Sequence, residues 1–174
     1  MSIKQARNAT IKNLTRYLGI PIVLSDQVKE ETAVPYGVYS VLTHGNTQGT
    51  GNRKRQITDN GQDVELVRAE QPTATLSFTF CSENREGPDG PIYGEDETIE
   101  LAEKAIGWFR HVGIHQLRLA GVVVVEVQNA APRSVFVVAE QSRRWGFDVT
   151  IRYARADVRN DSAVDYTTII QRRD

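Results

Sequence analysis

The stretch RRWGFDVTIRY, Arg143–Tyr153, decides how this chain folds. Trp145, Phe147, Val149, Ile151 and Tyr153 alternate with Gly146, Asp148, Thr150 and Arg152. A period of two is that of a strand with one face on a core and the other bearing a polar and charged pattern. Upstream, QPTATLSFTFCS (Gln71–Ser82) repeats the design. Ala74, Leu76, Phe78 and Phe80 share one parity, while Thr73, Thr75, Ser77, Thr79 and Cys81 share the other. A second Thr-rich run, Val164–Gln171, follows the polar stretch Ala156–Ala163 and is predicted to form a final strand.

Outward from these strands, a helix is predicted over about Gln5–Leu18, with Ala6, Ile11, Leu14 and Leu18 as its apolar stripe. Gly19 ends it and Pro21 prevents a restart. Ile20–Leu24 reads as a short extended segment, and Val34–Thr43 as a strand with Pro35 at its beginning. A second helix is predicted over about Glu97–Val112, with Asp96 as N-cap and Gly113 closing it. Its apolar face is wide, as suits a helix lying across a sheet. Leu117–Val127 then predicts a strand, Asn129–Pro132 a turn, and Ser134–Val138 a short apolar continuation. Clustered strands and two main helices indicate an α+β fold: one mostly antiparallel sheet with the helices packed on it.

Two stretches break this pattern. Thr43–Asp63 holds Gly45, Gly49, Gly51 and Gly61 and almost no apolar anchor, so burial alone cannot offset its ordering entropy. It is expected to be a long β-hairpin arm or mobile loop, ordered mainly by a partner. Glu83–Asp96, with GPDGP at Gly87–Pro91, is a turn-rich connector. Length favours a single domain over residues 1–174.

Composition narrows the function. With 40% hydrophobic and 25% charged residues the chain has the make-up of a soluble globular protein, and its net charge of -1 argues against a dedicated nucleic-acid binder. The lone Cys81, in LSFTFCSE, allows no intrachain disulfide and is expected at the end of a buried strand. The N-terminal stretch lacks the apolar core of a signal peptide, and the longest apolar run, Leu119–Val125, is too short to span a bilayer, which points to the cytoplasm as the site of assembly and to no membrane partner.

No catalytic constellation appears. His111 and His115 have helical i, i+4 spacing, but Gly113 lies between them and the glutamate of a zinc hydrolase helix is missing. Asp59 with Asp63, Asp96 with Glu97, and Asp157 with Asp161 sit in polar stretches where nothing would separate their pKa values. The glycines of Gly45–Gly51 lack the Gly-Lys-Ser/Thr ending of a phosphate loop. No enzyme activity, cofactor or metal is expected. The candidates left are interface residues: Arg53, Lys54 and Arg55 in the arm, which suit a phosphate backbone or an acidic partner surface, and Arg143, Arg144, Asp148 and Arg152 on the last long strand. Asp148 and Arg152 lie on one side of that strand, where charge-matched docking and cross-strand pairing within the chain are both open.

The order of these elements resembles the neck or tail-terminator proteins of long-tailed bacteriophages. The likeness is carried by LGIPIVLSDQV (Leu18–Val28), the PYGVYSVLT strand from Pro35, the strand ending FTFCSE, the helix around ELAEKAIGWF (Glu100–Phe109) and above all RRWGFDVTIRYA (Arg143–Ala154). The polar insert from Ala156 to Ala163 departs from it. The resemblance implies a non-catalytic structural virion protein at the neck, a homo-oligomeric ring, generally a hexamer. Such a ring terminates the tail tube, docks on the head connector or adaptor, meets the sheath of a contractile tail, and lets DNA pass through its lumen without specific binding. Arg143, Arg144, Trp145, Phe147 and Asp148 match the characteristic phrase, and Thr43–Asp63 the family's long hairpin. The alternative is a nucleic-acid-binding or other head–tail assembly accessory protein acting through Arg53–Arg55 and Arg143–Arg144; a small hydrolase built around His44 or Cys81 is a more distant third.

Overall fold

The computed structural model describes residues 1–27, 32–46, 52–57, 63–88, 90–133 and 142–162. Helix α1 (Ile3–Leu18) begins on Ser2, which accepts a bond from the Gln5 N–H while the Gln5 side chain accepts from the Ser2 N–H at 2.8 Å. It ends on Gly19 at φ 73°, the left-handed conformation that glycine tolerates. Ala6, Thr10 and Leu14 form its buried stripe.

The main sheet runs β1 (Ile22–Leu24), β2 (Tyr36–Asn46), β5 (Thr73–Ser82), β10 (Arg143–Tyr153), β8 (Val122–Val127), with the two-residue β9 (Ala131–Pro132) also paired to β10. Every pair is antiparallel except β1 with β2. β5 and β10 are the central strands, and their alternation is realised: Ala74, Leu76, Phe78 and Phe80 are buried, as are Phe147, Val149, Ile151 and Tyr153. Cys81 is buried at the end of β5.

Helix α2 (Gly94–Gly107) lies across β5 and β10 and buries Leu101, Ala102 and Ala105. It starts three residues before the predicted Glu97, and Tyr93 rather than Asp96 occupies the N-cap. The reason lies outside the helix: Asn84 Oδ1 accepts from the Gly94 N–H at 2.9 Å, so a distant side chain supplies the cap. After Gly107 the bonding widens into one π-type turn, Trp108–Val112, closed by Gly113 N–H to the Trp108 carbonyl at 2.8 Å. Trp108 and Phe109 both become fully buried there, Phe109 packing 5.4 Å from Phe78 and 4.9 Å from Trp108, ring centre to ring centre. Gly113 is required, because a Cβ at that position would lie 2.2 Å from the Trp108 ring. The chain does not leave the helical state at Gly113: α3 (Ile114–Leu119) follows and buries Leu117. The predicted strand Leu117–Val127 is therefore corrected to β8 alone, since Leu117 is used as a helical core residue.

Three further corrections concern strands. The connector holds a small hairpin, β6 (Arg85–Gly87) with β7 (Gly90–Ile92). Ala131–Pro132, predicted as part of a turn, pairs with Gly146 and Trp145 of β10. The polar stretch after Ala154 is a strand, β11 (Arg155–Ser162), which pairs with β4 (Asp63–Glu70), a strand the alternation did not announce; β3 (Asn52–Ile57) lies on the other side of β4. The predicted segments Ser134–Val138 and Val164–Gln171, and residues 47–51 and 58–62 of the predicted arm, lie outside the described residues.

Candidate docking surface

The sheet β11–β4–β3 is the end of a longer ladder. In the main sheet Thr73 of β5 lies opposite Arg152 of β10; three residues further along each strand, Glu70 of β4 lies opposite Arg155 of β11. The offset is unchanged, and the Tyr153 N–H bonds the Pro72 carbonyl at 3.1 Å across the seam. Pro72 has no N–H to return, and the pairing lapses over Gln71–Pro72 before it resumes at Glu70 and Arg155. One antiparallel pair thus runs from Ser82 and Arg143 at the body to Asp63 and Ser162 at the far end. The eight residues of β4 carry it about 27 Å beyond the seam at ~3.4 Å per residue.

The body end of the ladder is covered by helix α2; no described element covers the far end. No residue of β3, β4 or β11 belongs to the hydrophobic core cluster, and Val64 is the one buried apolar residue among those described. Val158 is 56% exposed. A concavity of about 420 Å³ lies at this sheet, lined by Leu66, Val67 and Val158 together with Arg53, Lys54, Arg68, Asp157 and Arg159. A three-stranded sheet ordinarily needs a hydrophobic face packed on something.

Its charge is patterned. Arg53 lies directly opposite Arg68, so two cations share a face on adjacent strands, an arrangement that costs stability. Arg68 turns to Glu70 at 2.9 Å, and Arg155 bonds Asp157 at 3.1 Å. These neighbours satisfy each other, whereas Arg53 and Lys54 are exposed and make no ion pair among the described residues. Arg55 occupies the β3 position opposite Leu66.

The other candidate residues sit elsewhere. Arg143 and Arg144 are opposite Ser82 and Cys81, at the end of β10 away from the arm, while Arg152 is exposed near the seam. The structure therefore separates Arg53 and Lys54 from Arg143 and Arg144. Asp148 is engaged within the chain. Its Oδ1 accepts from Arg133 at 2.6 Å and from the Ser77 hydroxyl at 2.8 Å; the Arg133 guanidinium also donates to Ser77 Oγ at 2.5 Å, Thr79 Oγ1 at 3.1 Å and the Phe78 carbonyl at 3.2 Å. Cross-strand pairing is thus what occupies this carboxylate.

Arg133 went unnoticed in the sequence. The signal was Gly146: a glycine inside an otherwise well-patterned strand marks a close approach. A Cβ there would lie 2.2 Å from the Phe78 carbonyl oxygen and 2.8 Å from Arg133 Cδ. The Gly-Phe-Asp phrase is accordingly a seat for one arginine that ties β9, β10 and β5 together.

A second polar clasp fixes the β6–β7 hairpin to α2. Arg85 holds Glu97 with two bonds of 2.8 Å, and Ser82 donates to the same carboxylate. The bonds from Arg85, reinforced by Ser82, lower the Glu97 pKa against an opposing effect of burial. His111 and His115 are exposed, and no cluster of three or more potential metal ligands occurs among the described residues. No described helix is long and apolar enough to cross a membrane.

Among the described residues a charge-patterned sheet with no covering layer continues from the core strands. Against this geometry the comparison with known families is decisive: the model for phage neck terminator proteins matches residues 8–172. The chain belongs to the phage neck terminator family. That match spans the body, the arm and the Gly-Phe-Asp phrase alike, and assigns a structural role at the neck of the virion. No curated protein matches the chain. A neck terminator interacts with other phage tail or head proteins.

Proposed function

We propose that copies of this neck terminator close side by side into a ring, a hexamer, that caps the last ring of the tail tube and receives the head connector or adaptor on its other face. The observation that carries this reading is the ladder that leaves the core and ends as a sheet without a covering layer among the described residues. Ring closure needs two different surfaces related by rotation, and an extended element can reach past the globular body to a neighbour. The protein works by geometry, without catalysis or cofactor. DNA passes through the lumen, which suits a chain with a net charge of -1 and no large basic excess. A contractile tail would add the sheath as a further contact, and assembly would take place in the host cytoplasm.

Deletion of residues 45–62, which removes β3 and the segments flanking it, tests this directly. The expected result is a folded body with lost or weakened ring formation and head–tail joining. Unchanged particle mass together with normal joining of tails to heads would refute the part assigned to the arm.

A further inference from the structure

We propose that the β3 side of the arm in one copy docks on the acidic outer stripe of helix α2 in the next copy. This rests on the ring reading and specifies the contact that closes it. From Glu83 to Lys104 the sequence carries eight carboxylates against two cations, a strong excess in a chain whose total is nearly balanced. On α2, Asp96, Glu100 and Glu103 are spaced by four and three residues, so they lie along one face, and all three are exposed. Glu97, in the same segment, is already claimed by Arg85. For the stripe itself the relief within the chain is Lys104, 3.7 Å from Glu100 and with both side chains more than 60% exposed, a weak surface pair.

The two surfaces are opposite in charge, and the relief within each is partial: Glu70 for Arg68 and Lys104 for Glu100. Asp96 and Glu100 are like charges at i, i+4, and Arg53 and Arg68 are like charges directly across a strand pair. Arg53 and Lys54 are consecutive in β3 and lie on opposite faces of the sheet, so a contact made along the edge of β3 lets both oppose the α2 carboxylates. The match is heterologous, between two different patches of the same chain, which is the property that rotation into a closed ring requires. Helix α1 offers a second basic stripe in Lys4, Lys12 and Arg16, but α1 is a finished surface helix with its apolar face buried and both ends capped. The arm, in contrast, has apolar surface at Val67 and Val158, on the face shared with Lys54, that nothing covers among the described residues.

The test uses two charge-reversed proteins, each altered only at exposed residues. One carries Arg53→Glu and Lys54→Glu; the other carries Glu100→Lys and Glu103→Lys. Alone, each would face its own copies with like charges, and assembly measured by sedimentation or single-particle mass should weaken by at least about tenfold. Mixed in equal amounts, the two should recover near-native assembly, because every arm-to-helix contact in an alternating ring is then of opposite sign. Head–tail joining by the mixture should recover with it. Thermal unfolding of each protein alone should match wild type.

Rings that persist in both proteins alone would overturn this contact and leave the neck reading standing. Loss in the arm-reversed protein without rescue by mixing would also overturn it, pointing instead to DNA, the tail tube or another partner as the arm's anion. Wild-type protein that forms no ring, either free or on tail ends, would refute the ring reading itself and this contact with it.

Discussion

Replacing Asp148 by alanine should destabilise the fold without acting on docking. The carboxylate receives a charge-assisted bond of 2.6 Å from Arg133 and a bond of 2.8 Å from Ser77. Its removal leaves the guanidinium seated over Gly146 with only neutral acceptors, on side chains that are 28% and 20% exposed. Hydrogen bonds to charged groups contribute about 1.5–3 kcal/mol each, and partial exposure reduces the charge-pair share. A loss of about 2–3 kcal/mol is therefore expected, equivalent to roughly 4–12 °C in Tm for a chain of this size. Urea unfolding followed by tryptophan fluorescence would measure it, Trp145 being in the same strand. A double-mutant cycle with Arg133→Met should return a coupling of about 1–2 kcal/mol. Assembly per folded copy should not change. A stability loss below about 0.5 kcal/mol accompanied by lost ring formation would refute this reasoning and return Asp148 to the interface.

Two further outcomes follow from the same geometry. Gly146→Ala places a methyl against the Phe78 carbonyl and displaces Arg133 from its seat; it should cost at least as much as Asp148→Ala, about 3 kcal/mol or more, measured by the same unfolding experiment. Because the Glu97 pKa is lowered in the fold, the Arg85–Glu97 clasp contributes fully above the unfolded glutamate pKa of about 4.3 and loses its contribution as pH falls through the lower folded value. Wild type should therefore lose stability relative to Glu97→Gln on acidification through that window, and parallel stability–pH curves for the two proteins would contradict the assignment.

Much of the body was legible from residue order alone. The alternation of Phe78 and Phe80 against Thr79, and of Phe147 and Val149 against Asp148, is a local property of strands, and each chain segment carries it without reference to any other. The same holds for α1, where the apolar stripe and Gly19 mark the face and end of the helix, although its start at Ile3, capped by Ser2, lies two residues before the predicted Gln5. The likeness to a neck protein was likewise visible in the sequence. β4 and β11 were not: Glu65, Arg68, Asp157 and Arg159 interrupt any apolar alternation, and these strands exist because the ladder of β5 and β10 continues through them in register. Such pairing is a relation between residues some ninety positions apart, and no local window contains it. The start of α2 depended on Asn84 from the neighbouring hairpin, the persistence of helix past Gly113 on room beside Trp108, and the fate of Asp148 on Arg133 arriving over Gly146. Local periodicity, then, chose the faces and most of the elements. Tertiary structure chose which charges are consumed inside the molecule and which remain for a partner, because hydrogen-bond partners are set by distance in space and not along the chain.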